Sequence, residues 1–467
     1  MEQFDLIIVG TGSGNAIPSD FGDWRIALVE RDVFGGTCLN RGCIPSKMFV
    51  YAADMAATPE ESARLGVELK VESVDWPSIV KRVFGRIDPI AAGGEDYRKN
   101  GSPNITIFPH EGRLVGERVL EVGGHRLTAP QMLLAAGSRP SVPAIPGLAD
   151  VPFHTSDTIM RLPELPRRVV ILGGGYIACE LGHVFGSLGS EVAFVLRGPG
   201  MLRAEDEEIS VRATEAYSRR FRAVTNATNM VVGEGGGGVV VSGVSEGRRF
   251  TAVGDVLLVA TGRTANGDQL GAEVAGVATD ASGTRVLSDA TMATNVPGVW
   301  ALGDLTNLEQ LKHLANAEAR VAFRNIITTG KAGPGPGEWP PCGPDFQRID
   351  RRFVPHAVFG HPQVASVGMR ERDVREQEIP YVVKVQNYGD TAYGWAMEDT
   401  TSVCKLIAHA ETRQLLGAHL IGPQASILIQ PLIQGMYFGQ TVDEMARAVW
   451  YIHPALSEVV ENALLGL

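Results

Sequence analysis

The sequence predicts an α/β fold in which two parallel-sheet units are followed by a mixed α+β region. Three features carry that prediction. A pattern of apolar strand, glycine-rich turn and second apolar strand occurs over residues 4–30 and again over residues 168–197. The stretch 330–350 is rich in Gly and Pro and polar, and reads as a linker. Beyond it, residues 354–467 carry mixed strand and helix patterns. One glycine fingerprint alone is weak, but a duplicated one signifies two Rossmann-like dinucleotide-binding domains.

Bulk properties bound the answer. The chain has 467 residues, a length that suggests roughly three domains. Hydrophobic residues make up 44% and charged residues 20%, an ordinary globular balance that needs no disulfide staples. Net charge is -11, with 53 acidic against 42 basic residues. With no long Lys/Arg run to neutralise phosphates, a nucleic-acid partner is disfavoured, and the acidity reads as solubility. The five cysteines, at positions 38, 43, 179, 342 and 404, are too few and scattered for a secreted disulfide framework. No basic leader precedes the first apolar run, and no stretch of about 18 apolar residues occurs. The expectation is a cytoplasmic protein with no membrane span.

The elements follow in order. Residues 4–14 read as a buried strand and a glycine-rich turn, and residues 25–30 (RIALVE) as a second strand. Asn15 stands where a third glycine is usual and Pro18 cuts into the expected helix, so that helix should be short or irregular. Short strands at 133–137 (LLAAG) and 256–262 (VLLVATG) end in Gly137 and Gly262 and read as crossings between the two nucleotide domains. Residues 168–175 (RVVILGGG), a helix from Tyr176 and the strand 191–197 (EVAFVLR) form the second unit. Residues 233–238 (GEGGGG) read as a surface hairpin, and 299–304 (VWALGD) as a strand ending at Asp304.

The glycines carry the first piece of chemistry. Gly10, Gly12 and Gly14 let the backbone approach a pyrophosphate, whose charge a helix N-terminus stabilises. Glu30, closing the second strand, is placed to accept hydrogen bonds from ribose hydroxyls. Gly173 and Gly175 repeat the logic. After the second unit's strand, a free ribose needs an acid, whereas a 2′-phosphate needs cations. Arg197 and Arg203 stand there, and the acids at 205–208 read as a solvated helix start.

The centre is the segment 35–47, GGTCLNRGCIPSK. Cys38 and Cys43 lie on consecutive turns if a helix starts near Thr37. A helix N-terminus lowers a thiol pKa, and two thiols within reach can close a readily reducible disulfide. Pro45 is expected to bend the chain just after the second cysteine. A zinc site would need four ligands in paired spacing, and no second Cys/His cluster matches, so no metal is expected. Core cysteines seldom sit in so turn-rich and polar a segment. The pair therefore reads as catalytic, whereas Cys179, Cys342 and Cys404 read as ordinary thiols.

Over essentially its whole length the sequence resembles the flavoprotein (class I) pyridine nucleotide-disulfide oxidoreductases, with GGTCLNRGCIPSK the most specific segment. The resemblance implies an FAD-binding domain in two parts, 1–149 and 267–335, and an NADPH-binding domain at 150–266. It also implies a C-terminal α+β dimerisation domain at 350–467 that builds a homodimer. Cys43 becomes the thiol next to the flavin, and Cys38 the interchange thiol that attacks a small disulfide. Lys47 is placed near the flavin and paired with Glu180, while Asp304 binds the ribityl chain. Thr37 and Gly137 count among the FAD residues. Gly262, Arg197 and Arg203 lie on the NADPH side, with Tyr176 as the gate over the nicotinamide. His453 and Glu458, in HPALSE, resemble the acid–base pair of the family, which acts on the other subunit's disulfide. Segments 84–98, 387–399 and 453–467 resemble one branch, the reductases of a low-molecular-weight disulfide. Arg41 keeps the NAD-linked dihydrolipoamide branch as the alternative.

Overall fold

The computed structural model describes residues 1–467. The chain divides into two compact units. The first comprises Met1–Pro45, Val80–Ser141 and Arg263–Asp350, and the second Ser46–Ile79, Val142–Gly262 and Arg351–Leu467.

The first unit is built on a five-stranded sheet in the order Val299–Ala301, Gln131–Leu134, Leu6–Val9, Ile26–Val29, Ile105–Phe108. Every pair is parallel, with Leu6 opposite Ile26 and Gln131. Side chains alternate between two cores, as strand geometry requires. Leu6, Ile8, Ile26 and Leu28 pack with Phe21, Trp24, Phe323 and Ile326. Ile7, Val9, Ala27 and Val29 pack on the other face with Leu114, Leu120 and Leu127. A parallel strand covered on both faces reads as one unbroken apolar run, which is why LIIV and IALV were legible. Each fully buried Leu or Ile contributes about 1.5–3 kcal/mol of transfer free energy.

No long helix follows the first strand. The chain makes a 3-10 turn at Ser13–Asn15 and another at Ser19–Phe21, with Pro18 extended between them. Asn15 and Pro18 have the expected effect. The crossing segments are hydrogen-bonded to each other: Ser138–Pro140 pairs antiparallel with Arg263–Ala265. The stretch expected as a linker is instead packed onto this unit. Trp339 meets Trp300 edge-on at 4.9 Å and donates its Nε1–H to the Thr294 carbonyl. Gln347 and Asn325 exchange two hydrogen bonds of 2.8 Å. Gly and Pro content signals irregular backbone, and an irregular segment can still be anchored by one half-buried aromatic packed on the buried Trp300.

The second unit contains a four-stranded parallel sheet in the order Arg222–Val224, Glu191–Val195, Arg168–Leu172, Val256–Val259. The helix Tyr176–Ser187 follows the third of these strands. The expected hairpin joins Thr228–Gly235 to Gly238–Ser245 through Gly236 and Gly237, both at positive φ as a tight two-residue turn demands. Residues beyond 351 form a five-stranded antiparallel sheet with helices that include Gln430–Tyr437 and Glu458–Leu465. No helix is long and apolar enough to cross a membrane.

The acidic run at 205–208 does start a helix, Glu207–Arg220, with Glu207 exposed, but its first two members are not solvated. Glu205 and Asp206 are buried. Asp206 caps the helix Glu207–Arg220 by accepting the Glu208 N–H, and it takes Lys405 Nζ at 2.7 Å. Glu205 accepts from His356 Nε2 at 2.8 Å and from Ser366 Oγ at 2.7 Å. Burial works against both charges, but these donors hold both carboxyls below the ordinary range. A cluster of like charges in a sequence carries no mark of the cations that fold against it.

Candidate active site

The first glycine turn is shaped by close backbone approach. Gly10 has φ +102, and a Cβ there would overlap the Ala135 carbonyl oxygen. Gly12 borders open space, since a Cβ on it would meet nothing nearer than the Gly36 Cα at 4.0 Å. Glu30 braces the turn: Thr11 donates to its Oε2 from N at 2.9 Å and from Oγ1 at 2.6 Å. Its Oε1 takes only the Asp32 N–H, at 3.0 Å, and retains acceptor capacity. Asp304 sits in a 3-10 turn at Gly303–Leu305 and accepts the Ser138 hydroxyl at 2.8 Å. Nothing lies within 4 Å of a Cβ built on Gly137. An open, glycine-surfaced cradle flanked by two carboxylates fits a dinucleotide.

The cysteine segment is held against this turn. Gly35 and Gly36 both have positive φ, and a Cβ on Gly36 would fall 2.7 Å from the Gly12 Cα. The Gly35 N–H donates to Thr11 Oγ1 at 3.2 Å. Asn40 ties the short helix Gly36–Asn40 back by donating to the Phe34 carbonyl at 2.8 Å. The helix then breaks at Arg41 and Gly42, and Cys43 opens a second one, Cys43–Ser62. Thus Cys38 lies inside a five-residue helix, and only Cys43 stands at the start of a long one. Pro45 falls in the first turn of that helix and does not interrupt it, because an N–H is not needed there.

That division decides the electrostatics. The hydrogen bond with Cys43 pushes the Cys38 thiol well up, as do burial and negative charge on Cys43, while the Lys312 ammonium opposes them. The two thiols thus share a hydrogen bond, and burial disfavours the Cys38 thiolate. Cys43 stands at the start of the long helix, and its backbone N–H there also lowers the Cys38 thiol, so the helix start serves both sulfurs. Burial raises the thiols of Cys179 and Cys404, while Cys342 is exposed.

In the second unit Lys47 Nζ meets both Glu180 oxygens, at 2.7 and 2.6 Å, and lies 4.7 Å from the centre of the Phe359 ring. Glu180 also accepts the Phe359 N–H at 3.0 Å. The second glycine turn repeats the first: Gly173 has φ +119 and packs on the Ala260 carbonyl, whereas Gly175 and Gly262 face open space. Tyr176 begins the helix with its ring exposed. Arg197 and Arg203 are exposed and have no carboxylate partner, and the Arg203 guanidinium lies over Gly198. Two uncommitted cations and open glycines fit a phosphorylated dinucleotide. His453 Nδ1 lies 2.6 Å from Glu458 Oε1, with the imidazole largely exposed and the carboxylate largely covered. No group of metal-ligating side chains is present.

Three polar residues at the first turn had no role in the sequence reading: Ser13, Arg98 and Lys312. Lys312 Nζ donates to Ser13 Oγ at 2.8 Å, and Arg98 holds Asn15 by two bonds of 2.8 Å. The one available signal was Arg98's position in the segment 84–98.

Residues 4–320 match the family described as pyridine nucleotide-disulphide oxidoreductase, and residues 354–464 match its dimerisation domain. The chain is 47% identical over 477 residues to mycothione reductase of Mycobacterium tuberculosis, covering 100% of both. It is 32% identical to the dihydrolipoyl dehydrogenase of Chlamydia trachomatis, covering 100% of this chain and 97% of that one. Among solved structures, the HOCl-induced flavoprotein disulfide reductase RclA from Escherichia coli matches with a TM-score of 0.82. That match has 25% identity and covers 98% of this chain and 99% of that one.

Proposed function

Since the chain belongs to the pyridine nucleotide-disulphide oxidoreductase family and is a flavin-dependent disulfide oxidoreductase, we propose that it reduces mycothione to two mycothiol at the expense of NADPH. The observation that carries the chemistry is the Cys38–Cys43 pair, hydrogen-bonded in one short segment against a glycine cradle. Identity of 47% over full length to a mycothione reductase supports the substrate.

FAD would be held by Gly10, Gly12, Gly14, Glu30, Thr37, Gly137 and Asp304, and when bound supplies the two-electron relay from NADPH to the enzyme disulfide. NADPH would lie over Gly173, Gly175 and Gly262, with Arg197 and Arg203 on its 2′-phosphate and Tyr176 as gate. Lys47, fixed by Glu180, would present its ammonium beside the relay. Residues 1–149 with 267–335, residues 150–266 and residues 350–467 serve as FAD, NADPH and dimerisation domains. The assembly is a cytoplasmic homodimer.

In the dithiol state Cys38 must lose its proton before it attacks. His453 of the partner subunit takes that proton, its imidazole oriented by a carboxylate as the 2.6 Å contact to Glu458 exemplifies. The Cys38 thiolate attacks one sulfur of the disulfide, forming a mixed disulfide and expelling a thiolate. The imidazolium returns the proton to that leaving group. Cys43 thiolate then attacks the Cys38 sulfur, which closes the enzyme disulfide and releases the second thiolate.

The test is NADPH oxidation by FAD-loaded protein with mycothione, glutathione disulfide and lipoamide offered in parallel. Turnover with mycothione is expected. Preference for lipoamide with NADH would replace this reading by the dihydrolipoamide one, to which the 32% identical relative and Arg41 point.

A further inference from the structure

The first dinucleotide turn lacks the feature that ordinarily balances a pyrophosphate. A helix stabilises anions at its start through several aligned peptide dipoles. Here the turn carries only the three-residue 3-10 helix Ser13–Asn15, and Pro18 ends its continuation. Too few peptides are aligned for an appreciable dipole.

Two cations from distant parts of the same unit converge on that turn instead. Arg98, near the end of the helix Trp76–Asn100, donates from Nε to Asn15 Oδ1 and from Nη2 to the Asn15 carbonyl, each at 2.8 Å. Its Nη1 is left uncommitted. Lys312 opens the helix Lys312–Thr329 and donates to Ser13 Oγ at 2.8 Å, which leaves two of its N–H groups. Neither cation has a carboxylate partner. Burial pushes the Arg98 guanidinium pKa down, opposed by Tyr97, whose ring centre lies 5.4 Å from the guanidinium carbon, and no carboxylate pairs with the charge. Lys312 also acts on the Cys38 thiol, whose pKa its charge lowers.

We propose that Arg98 and Lys312 neutralise the FAD pyrophosphate, supplying with two side-chain charges what the missing helix cannot. This rests on the reading of the first domain as the FAD site. It assigns a role to Asn15 as well: a side chain in place of glycine gives Arg98 its anchor. A diphosphate carries charge of the sign and number that the two cations lack.

The experiment titrates FAD-depleted protein with FAD and, separately, with riboflavin, following flavin fluorescence, for wild type, Arg98→Met, Lys312→Met and the double variant. Each single change is expected to weaken FAD about tenfold, and the double about a hundredfold, with riboflavin binding unmoved. The dependence of FAD affinity on ionic strength should become shallower in each. Lys312→Arg, which keeps the charge, should stay within about threefold of wild type. Unchanged FAD affinity in the double variant would overturn the proposal. So would equal losses for FAD and riboflavin, or a Lys312→Arg variant as weak as Lys312→Met. Wild-type protein that takes up no FAD would sink the FAD reading itself, a result distinct from variants that bind as wild type does.

Discussion

Lys47 and Glu180, 133 positions apart, form an ion pair in which one ammonium reaches both carboxylate oxygens. Glu180 is nearly fully covered, and Lys47 is about one-third exposed. The covered partner is the vulnerable one, because a buried carboxylate without its cation must be protonated or pay for desolvation.

Lys47→Met is therefore expected to destabilise the protein by about 2 kcal/mol, the Phe359 N–H being the remaining donor to Glu180. Glu180→Gln together with Lys47→Met should recover part of that loss, since no charge then stays behind. Denaturant unfolding of the three variants measures both. A double variant less stable than the sum of the singles would show that the pair is not the source.

Cys38→Ser should abolish reduction of disulfide substrates, lowering turnover by more than about a thousandfold. NADPH oxidation with a quinone acceptor should persist, because that route does not need the thiols. Loss of both activities would mean that the substitution damaged cofactor binding.

Arg197→Ala with Arg203→Ala should raise KM for NADPH by about a hundredfold and leave KM for NADH within about twofold. The reason is geometric: both guanidiniums are exposed and uncommitted beside the end of the strand Glu191–Val195. Steady-state kinetics with the two cofactors checks it, and equal effects would refute the 2′-phosphate assignment.

The Glu205–His356 pair makes stability depend on pH from both sides. Burial opposes both charges, yet the pair holds Glu205 below its ordinary 4.5 and His356 above its ordinary 6.5. The depressed carboxyl stabilises above 4.5 and loses this as pH falls through its folded value. The raised imidazole stabilises fully below 6.5 and loses this as pH rises through its folded value. Glu205→Gln should thus lower Tm most at about pH 5–6, with the deficit shrinking in alkaline buffer. A deficit that grows with pH would contradict the pairing.

The strands Leu6–Val9, Ile26–Val29 and Arg168–Leu172 were legible because a parallel strand buried on both faces needs an unbroken apolar run. The two glycine turns were legible because positive φ and carbonyl contact leave no room for a Cβ at Gly10 or Gly173. The shortened first helix followed from Pro18. These are constraints on each residue and its near neighbours, and a linear sequence displays them.

Partners distant in the chain were a different matter. Glu205 and Asp206 read as solvated because His356, Ser366 and Lys405 lie some 150 to 200 positions away. The stretch after Gly330 read as a linker because nothing local shows Trp339 meeting Trp300. Arg98 and Lys312 reach the first turn from 83 and 299 positions off. The different surroundings of the two thiols follow from the helix break at Gly42, from burial and from Lys312, none of which the cysteine spacing encodes. Periodicity and backbone sterics act along the chain, so the sequence by itself determined the architecture and the reacting groups. Charge is compensated across space, so only the tertiary structure decided which ionisable groups are buried and paired, and which cations reach the first glycine turn.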